Sequence, residues 1–153
     1  MKVPLHINGE LHDIEARADE SLLTVLRRLG LTSVRETCGI GVCGACTVLA
    51  DGAPVSGCLL LVPLAEGRQI TTVEGLGRDD PVKRAFAETH AFQCGYCTPG
   101  MILAAKRLLE ENSRPSADEV RLALAGNLCR CGSYLKIVDA VLVAARREDA
   151  WTT

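Results

Sequence analysis

The chain has 153 residues, 48% apolar and 24% charged, with a formal charge of −2; it can bury one ordinary core or two small ones, and a disordered chain is excluded. Aromatics are only 3%, so the core must be aliphatic, and neither stacking platforms nor a basic footprint point to nucleic acid. The opening MKVPLHINGE lacks the apolar stretch of a secretory signal and no run approaches a membrane span, so we expect a cytoplasmic protein with no direct membrane insertion, although a partner chain could carry an export signal.

Residues 3–7 alternate with period two, and Asn8-Gly9 supplies the positive φ angles of a tight hairpin before a returning strand at 11–16. Ser21 opens a helix whose stripe is Leu22, Leu23, Val25, Leu26 and Leu29, with Gly30 as its stop. A second hairpin, 47–50 and 54–61, turns at Asp51-Gly52, and 69–73 is a last β-rich run. These elements predict a β-grasp-like α+β domain over residues 1–76. A linker begins near Glu74-Gly75-Leu76-Gly77, and beyond it the signals are helical. Asp80-Pro81 starts a helix to about Thr89, and Thr98 as N-cap with Pro99 in the first turn starts another to about Glu111. Ser116-Ala117-Asp118-Glu119 reads as a capping box for a helix ending at Gly126, and 135–147 is the fourth helix. Residues 77–153 therefore read as a compact four-helix domain with a short tail, Trp151-Thr152-Thr153.

All eight cysteines fall into two sets of four. Cys38, Cys43, Cys46 and Cys58 read C-x4-C-x2-C-x11-C, and Cys94, Cys97, Cys129 and Cys131 read C-x2-C-x31-C-x-C. A disulfide framework suits smaller, core-poor secreted chains. Structural zinc and iron–sulfur clusters are the other readings. Three thiols on one nine-residue loop, 38–46, face a common centre only if the backbone curls around it; Gly39, Gly41 and Gly44 allow that and let N–H groups point at sulfur. The spacing is that of a plant-type 2Fe–2S site, and a small tetrahedral zinc site needs no such loop. The second set is less diagnostic. Its two pairs each precede a predicted helix, whose positive end favours thiolates, and on spacing alone zinc stays a rival there.

The surrounding residues narrow this. Gln93-Cys94-Gly95-Tyr96-Cys97-Thr98-Pro99-Gly100-Met101, Gly126-Asn127-Leu128-Cys129-Arg130-Cys131, the Cys38–Cys46 loop and Val73-Glu74-Gly75-Leu76 together resemble the iron–sulfur subunits of the xanthine oxidase family of molybdenum hydroxylases, over roughly residues 3 to 146. The resemblance implies an N-terminal β-grasp plant-type ferredoxin domain and a C-terminal four-helix domain, each binding a 2Fe–2S cluster through its cysteine set. It implies partners as well: a large subunit with a molybdopterin-type molybdenum cofactor and a medium subunit with FAD. Single electrons would pass from the molybdenum centre through the helical-domain cluster, then the Cys38 set, to the flavin. Gln93 and Cys131 match positions that touch the pterin, Cys131 while also binding iron. Family substrates include aldehydes, purines, N-heterocycles, aryl-CoA thioesters and carbon monoxide, with selectivity in the large subunit. Gly132-Ser133-Tyr134 stands where many relatives have Thr-Gly-Tyr, a departure that leaves ligation intact and the substrate branch open.

Two rival readings remain: a stand-alone two-cluster ferredoxin and a zinc-stabilised interaction module. His6 and His12, on an exposed hairpin, and His90, at a helix end, lack convergent partners and read as structural or solvent-facing. Arg35 and Arg130 flank clusters and are either tuning charges or surface charges. Asp79-Asp80 and Glu110-Glu111 read as solvated faces or helix-end charges. No nucleophile, triad or phosphate loop is visible, so no substrate active site is expected on this chain.

Overall fold

Alternation builds the first strand. β1 (Lys2–Ile7) buries Val3, Leu5 and Ile7, and Asn8 and Gly9, at φ 52° and 86°, turn the chain into the antiparallel β2 (Glu10–Glu15). These strands belong to a computed structural model that describes residues 1–148; the expected tail, Trp151-Thr152-Thr153, lies outside the described residues. α1 (Leu22–Arg28) is capped by Ser21, whose hydroxyl accepts the Thr24 N–H at 3.2 Å, and its Leu22, Val25 and Leu26 pack with Val3, Leu5 and Ile7. β3 (Thr47–Ala50) and β4 (Ala53–Ser56) meet at Asp51-Gly52, with φ 52° and 79°. β5 (Gln69–Thr71) completes a sheet of order β2-β1-β5-β3-β4, in which β1 and β5 are parallel and the other pairs antiparallel. This mixed sheet with α1 across one face is the expected β-grasp.

The other half is four helices, as the sequence predicts: α2 (Pro81–Glu88), α3 (Thr98–Glu111), α4 (Ala117–Ala123) and α5 (Tyr134–Glu148). Ser116 and Glu119 form the expected capping box, and Asp80 caps α2 by accepting from the N–H groups of Val82 and Lys83. β3 is buried at every residue because it has a helix on each side. Val48 and Ala50 face the α1 core, while Leu49 joins Met101 and Leu103 of α3 in the helical core. α3 thus lies across the opposite face of the sheet, with its N-terminus beside the start of β3. There Gly100 comes so near that a Cβ would stand 2.5 Å from the Gly44 carbonyl oxygen.

Several boundaries differ from expectation. The 54–61 strand stops at Ser56, whose carbonyl accepts from Leu59 and Leu60 N–H, so Cys58 rides on a turn rather than a strand end. The 69–73 run ends at Thr71, and Val73–Gly75 forms a 3-10 turn. Thr98 is not the N-cap of α3: Cys97 holds that position, and the buried Thr98 hydroxyl makes no hydrogen bond. The expected linker is pinned down. Glu74 accepts from Ser33 N–H at 2.9 Å, from the Ser33 hydroxyl and from Thr72 Oγ1 at 2.7 Å, and Leu76 is buried in the helical core. His6 and His12 are half-buried rather than exposed. Asp80 is not a solvated charge, since its side chain is 7% exposed and pairs with Lys106 at 3.1 Å.

Candidate metal centres

The first cysteine loop leaves Val34 at the edge of the α1 core and re-enters the fold at Cys46, which is only 3% exposed. Between them Gly39, Gly41 and Gly44 take φ of 67°, 74° and 69°, as the curl requires. The N–H groups of Ile40, Cys43 and Val42 point at Cys38 Sγ, and with the Cys43 thiol they hold the Cys38 thiol down at about 6. Cys46 is the opposite case, pushed up by burial to about 11, with its sulfur against Cys58. The second set forms where α3 and α5 begin. Cys94 is lowered by the Tyr96 N–H, 3.5 Å from its sulfur, and by the Cys131 thiol. Burial lifts Cys97 to about 12. Burial also raises Cys129, but N–H donors from Ser133, Cys131 and Gly132, together with the Cys97 thiol, outweigh it and leave it lowered.

Within each set the thiols shift one another's titration most strongly in pairs: Cys38 with Cys43, Cys46 with Cys58, Cys94 with Cys131, and Cys97 with Cys129. Among the described residues no three His, Cys, Asp or Glu side chains gather tightly enough to hold a single metal ion. A two-iron core takes two thiolates per iron, so paired thiols fit its chemistry. A cavity of about 340 Å³ lined by Cys94, Cys97 and Cys129, with Cys43 of the other set, provides room beside the second set. N–H groups already aimed at sulfur suit an anionic cluster.

The two sites are tied to each other. Leu128 N–H donates to the Cys43 carbonyl at 2.9 Å. The buried Asn127 amide donates to Gly44 O at 2.9 Å and Thr47 Oγ1 at 3.1 Å, and Thr47 Oγ1 itself donates to Gly44 O at 2.7 Å. Tyr96 Oη donates to Glu36 O at 2.8 Å, and Tyr134 Oη accepts the Cys129 N–H at 2.7 Å. Gln93, half of the expected pterin contact, donates through Nε2 to the carbonyl of the other half, Cys131, at 3.1 Å. Among the described residues His6, His12 and His90 join no group with the cysteines that could hold a metal ion. The sequence alone gives no positioning role to Asn127, Tyr96 or Tyr134. A signal for the tyrosines was present: in a chain with two tyrosines, both lie within three residues of a ligand candidate.

The fold and the two thiol sets define a two-cluster iron–sulfur protein. Residues 5–70 match the 2Fe-2S iron-sulfur cluster binding domain, and residues 72–142 match the [2Fe-2S] binding domain. The chain is 46% identical over 149 residues to the nicotinate dehydrogenase small FeS subunit of Eubacterium barkeri, covering 95% of each. It is 45% identical over 141 residues to the xanthine dehydrogenase iron-sulfur-binding subunit of Escherichia coli O157:H7, covering 89% of each. Quinoline 2-oxidoreductase from Pseudomonas putida 86 contains a chain of the same fold, with a TM-score of 0.90, 44% identity and 96% of each chain covered. The protein belongs to the iron–sulfur subunits of the xanthine oxidase family of molybdenum hydroxylases. It is an electron-transfer subunit of an oxidoreductase and carries 2Fe–2S clusters. Among the described residues no helix is long and apolar enough to cross a membrane.

Proposed function

We propose that this chain relays single electrons from a molybdopterin centre on a large partner subunit to FAD on a medium partner subunit, entering at the helical site and leaving at the N-terminal one. In this reading Cys38, Cys43, Cys46 and Cys58 hold one cluster and Cys94, Cys97, Cys129 and Cys131 hold the other, within domains of residues 1–76 and 77–153. A bound 2Fe–2S cluster supplies one-electron chemistry at each site. The chain's residues set the order and the spacing. Gln93 and Cys131 form a hydrogen-bonded unit at an exposed edge, with the Gln93 oxygen free to meet a polar heterocycle. The observation that carries the relay is the 2.9 Å bond from Leu128 N–H to the Cys43 carbonyl. Leu128 is bonded to Cys129, so one hydrogen bond links a ligand of each set. Both partners lie in backbone that Asn127 and Thr47 fix, which keeps this connection from loosening.

The order is tested in the complex purified with its partner subunits. With Cys43→Ser, substrate should still reduce the helical cluster while flavin reduction slows at least about tenfold, a rise of roughly 1.4 kcal/mol in the barrier. Flavin reduction at the unaltered rate would overturn the proposed order. Co-purification of a molybdopterin chain without any flavin chain would overturn the proposed exit.

A further inference from the structure

Arg35 belongs by its backbone to one cysteine loop and by its side chain to the other. It stands three residues before Cys38, and its N–H donates at 3.1 Å to the carbonyl of Ala45, between Cys43 and Cys46. Its guanidinium leaves that loop and lies over the ring of Tyr96, 5.2 Å from the centroid. Tyr96 sits between Cys94 and Cys97, and it is held in place by its bonds to Glu36 O and Thr37 Oγ1, at 2.8 and 3.3 Å. Arg35 is half-buried, and its Nε is buried with no hydrogen-bond partner. Among the described residues no carboxylate forms an ion pair with it.

A half-buried cation without an anion is costly, and the face of the Tyr96 ring offsets only part of that cost. The missing anion is supplied if the cysteine sites hold clusters, because each gains a negative charge on reduction. A fixed positive charge nearby favours the more negative state, as it does for a carboxylate, and partial burial strengthens the effect. Arg130 lines the cavity beside the second cysteine set but is exposed, so water screens it more. We infer that Arg35 is a positioning charge shared by the two sites, which favours reduction of both clusters. This rests on the reading of the eight cysteines as two 2Fe–2S ligand sets.

The test is a potentiometric titration of the intact complex, with both clusters followed by EPR. Arg35→Met should retain both signals and disfavour reduction at each site by about tenfold, near 59 mV for one electron. Arg35→Lys keeps the charge and should recover most of that shift. If Arg35→Met does not assemble, Arg35→Gln removes the same charge with a polar side chain. Unmoved potentials, a shift at only one cluster, or a lysine variant displaced as far as methionine would overturn the inference. Lack of two cluster signals in the unaltered complex would instead overturn the two-cluster reading beneath it.

Discussion

Cys38, Cys43 and Cys46 share one nine-residue loop, whereas Cys97 and Cys129 are separated by the whole of α3 and α4. The first site is shaped locally: glycines at positive φ bend the loop, and three N–H groups of that same loop act on Cys38. The second is shaped by packing, because its pairs come together only when α3 and α5 begin side by side. Its loops are fastened to the first loop by Tyr96 to Glu36 and by Leu128 to Cys43, and within their own segment by Tyr134 to Cys129. A site built by loop geometry is written in spacing. A site built by helix packing depends on the rest of the fold, here including the other site.

That contrast can be broken most sharply by removing one cysteine from each set. Cys129→Ser should abolish the helical cluster and spare the N-terminal one, and Cys43→Ser should do the reverse; iron content would fall by about half in each. Loss of both EPR signals in both variants would mean the sites do not form separately. Gly44→Ala attacks the seam between them. Its φ is 69° and a Cβ would lie 2.4 Å from the Gly126 carbonyl, so left-handed strain and overpacking together should cost roughly 2–5 kcal/mol, read as a lowered unfolding midpoint. Asn127→Leu leaves Gly44 O and Thr47 with one fewer donor in a buried place. It should cost about 1–3 kcal/mol by the same measurement, and a neutral result would show that the seam tolerates an apolar filler.

The smallest effect concerns the connection. Burial raises the Glu74 carboxyl, but bonds from Ser33 and Thr72 outweigh it and leave its pKa below the ordinary 4.5. A carboxylate depressed in the folded state stabilises fully above its unfolded pKa and loses that contribution as pH falls through the folded value. Glu74→Gln should therefore cost at most about 1 kcal/mol near neutral pH for so exposed a group, and the difference should vanish on acidification. A gap that persists in acid would mean that shape, not charge, holds the linker.

Features set by short-range chemistry were legible in the sequence. Asn8-Gly9 and Asp51-Gly52 turn where expected, and Ser21, Asp80 and Ser116 cap their helices. The eight thiols sort into two sets because their number and spacing leave none over. What could not be read depends on contacts between distant segments. The strand after Pro54 ends early because a turn must place Cys58 against Cys46. Thr98 gives up the cap position because Cys97 occupies it. The roles of Asn127 and Arg35 exist only once β3 and α3 lie together, and nothing local to either residue announces them.

The measurement that bears most directly on the central claim is metal content and EPR of the reduced, unaltered protein. Two four-cysteine sites should give about four irons per chain and two distinct reduced-cluster signals. About two irons with one signal, or zinc in either cysteine set, would contradict the account.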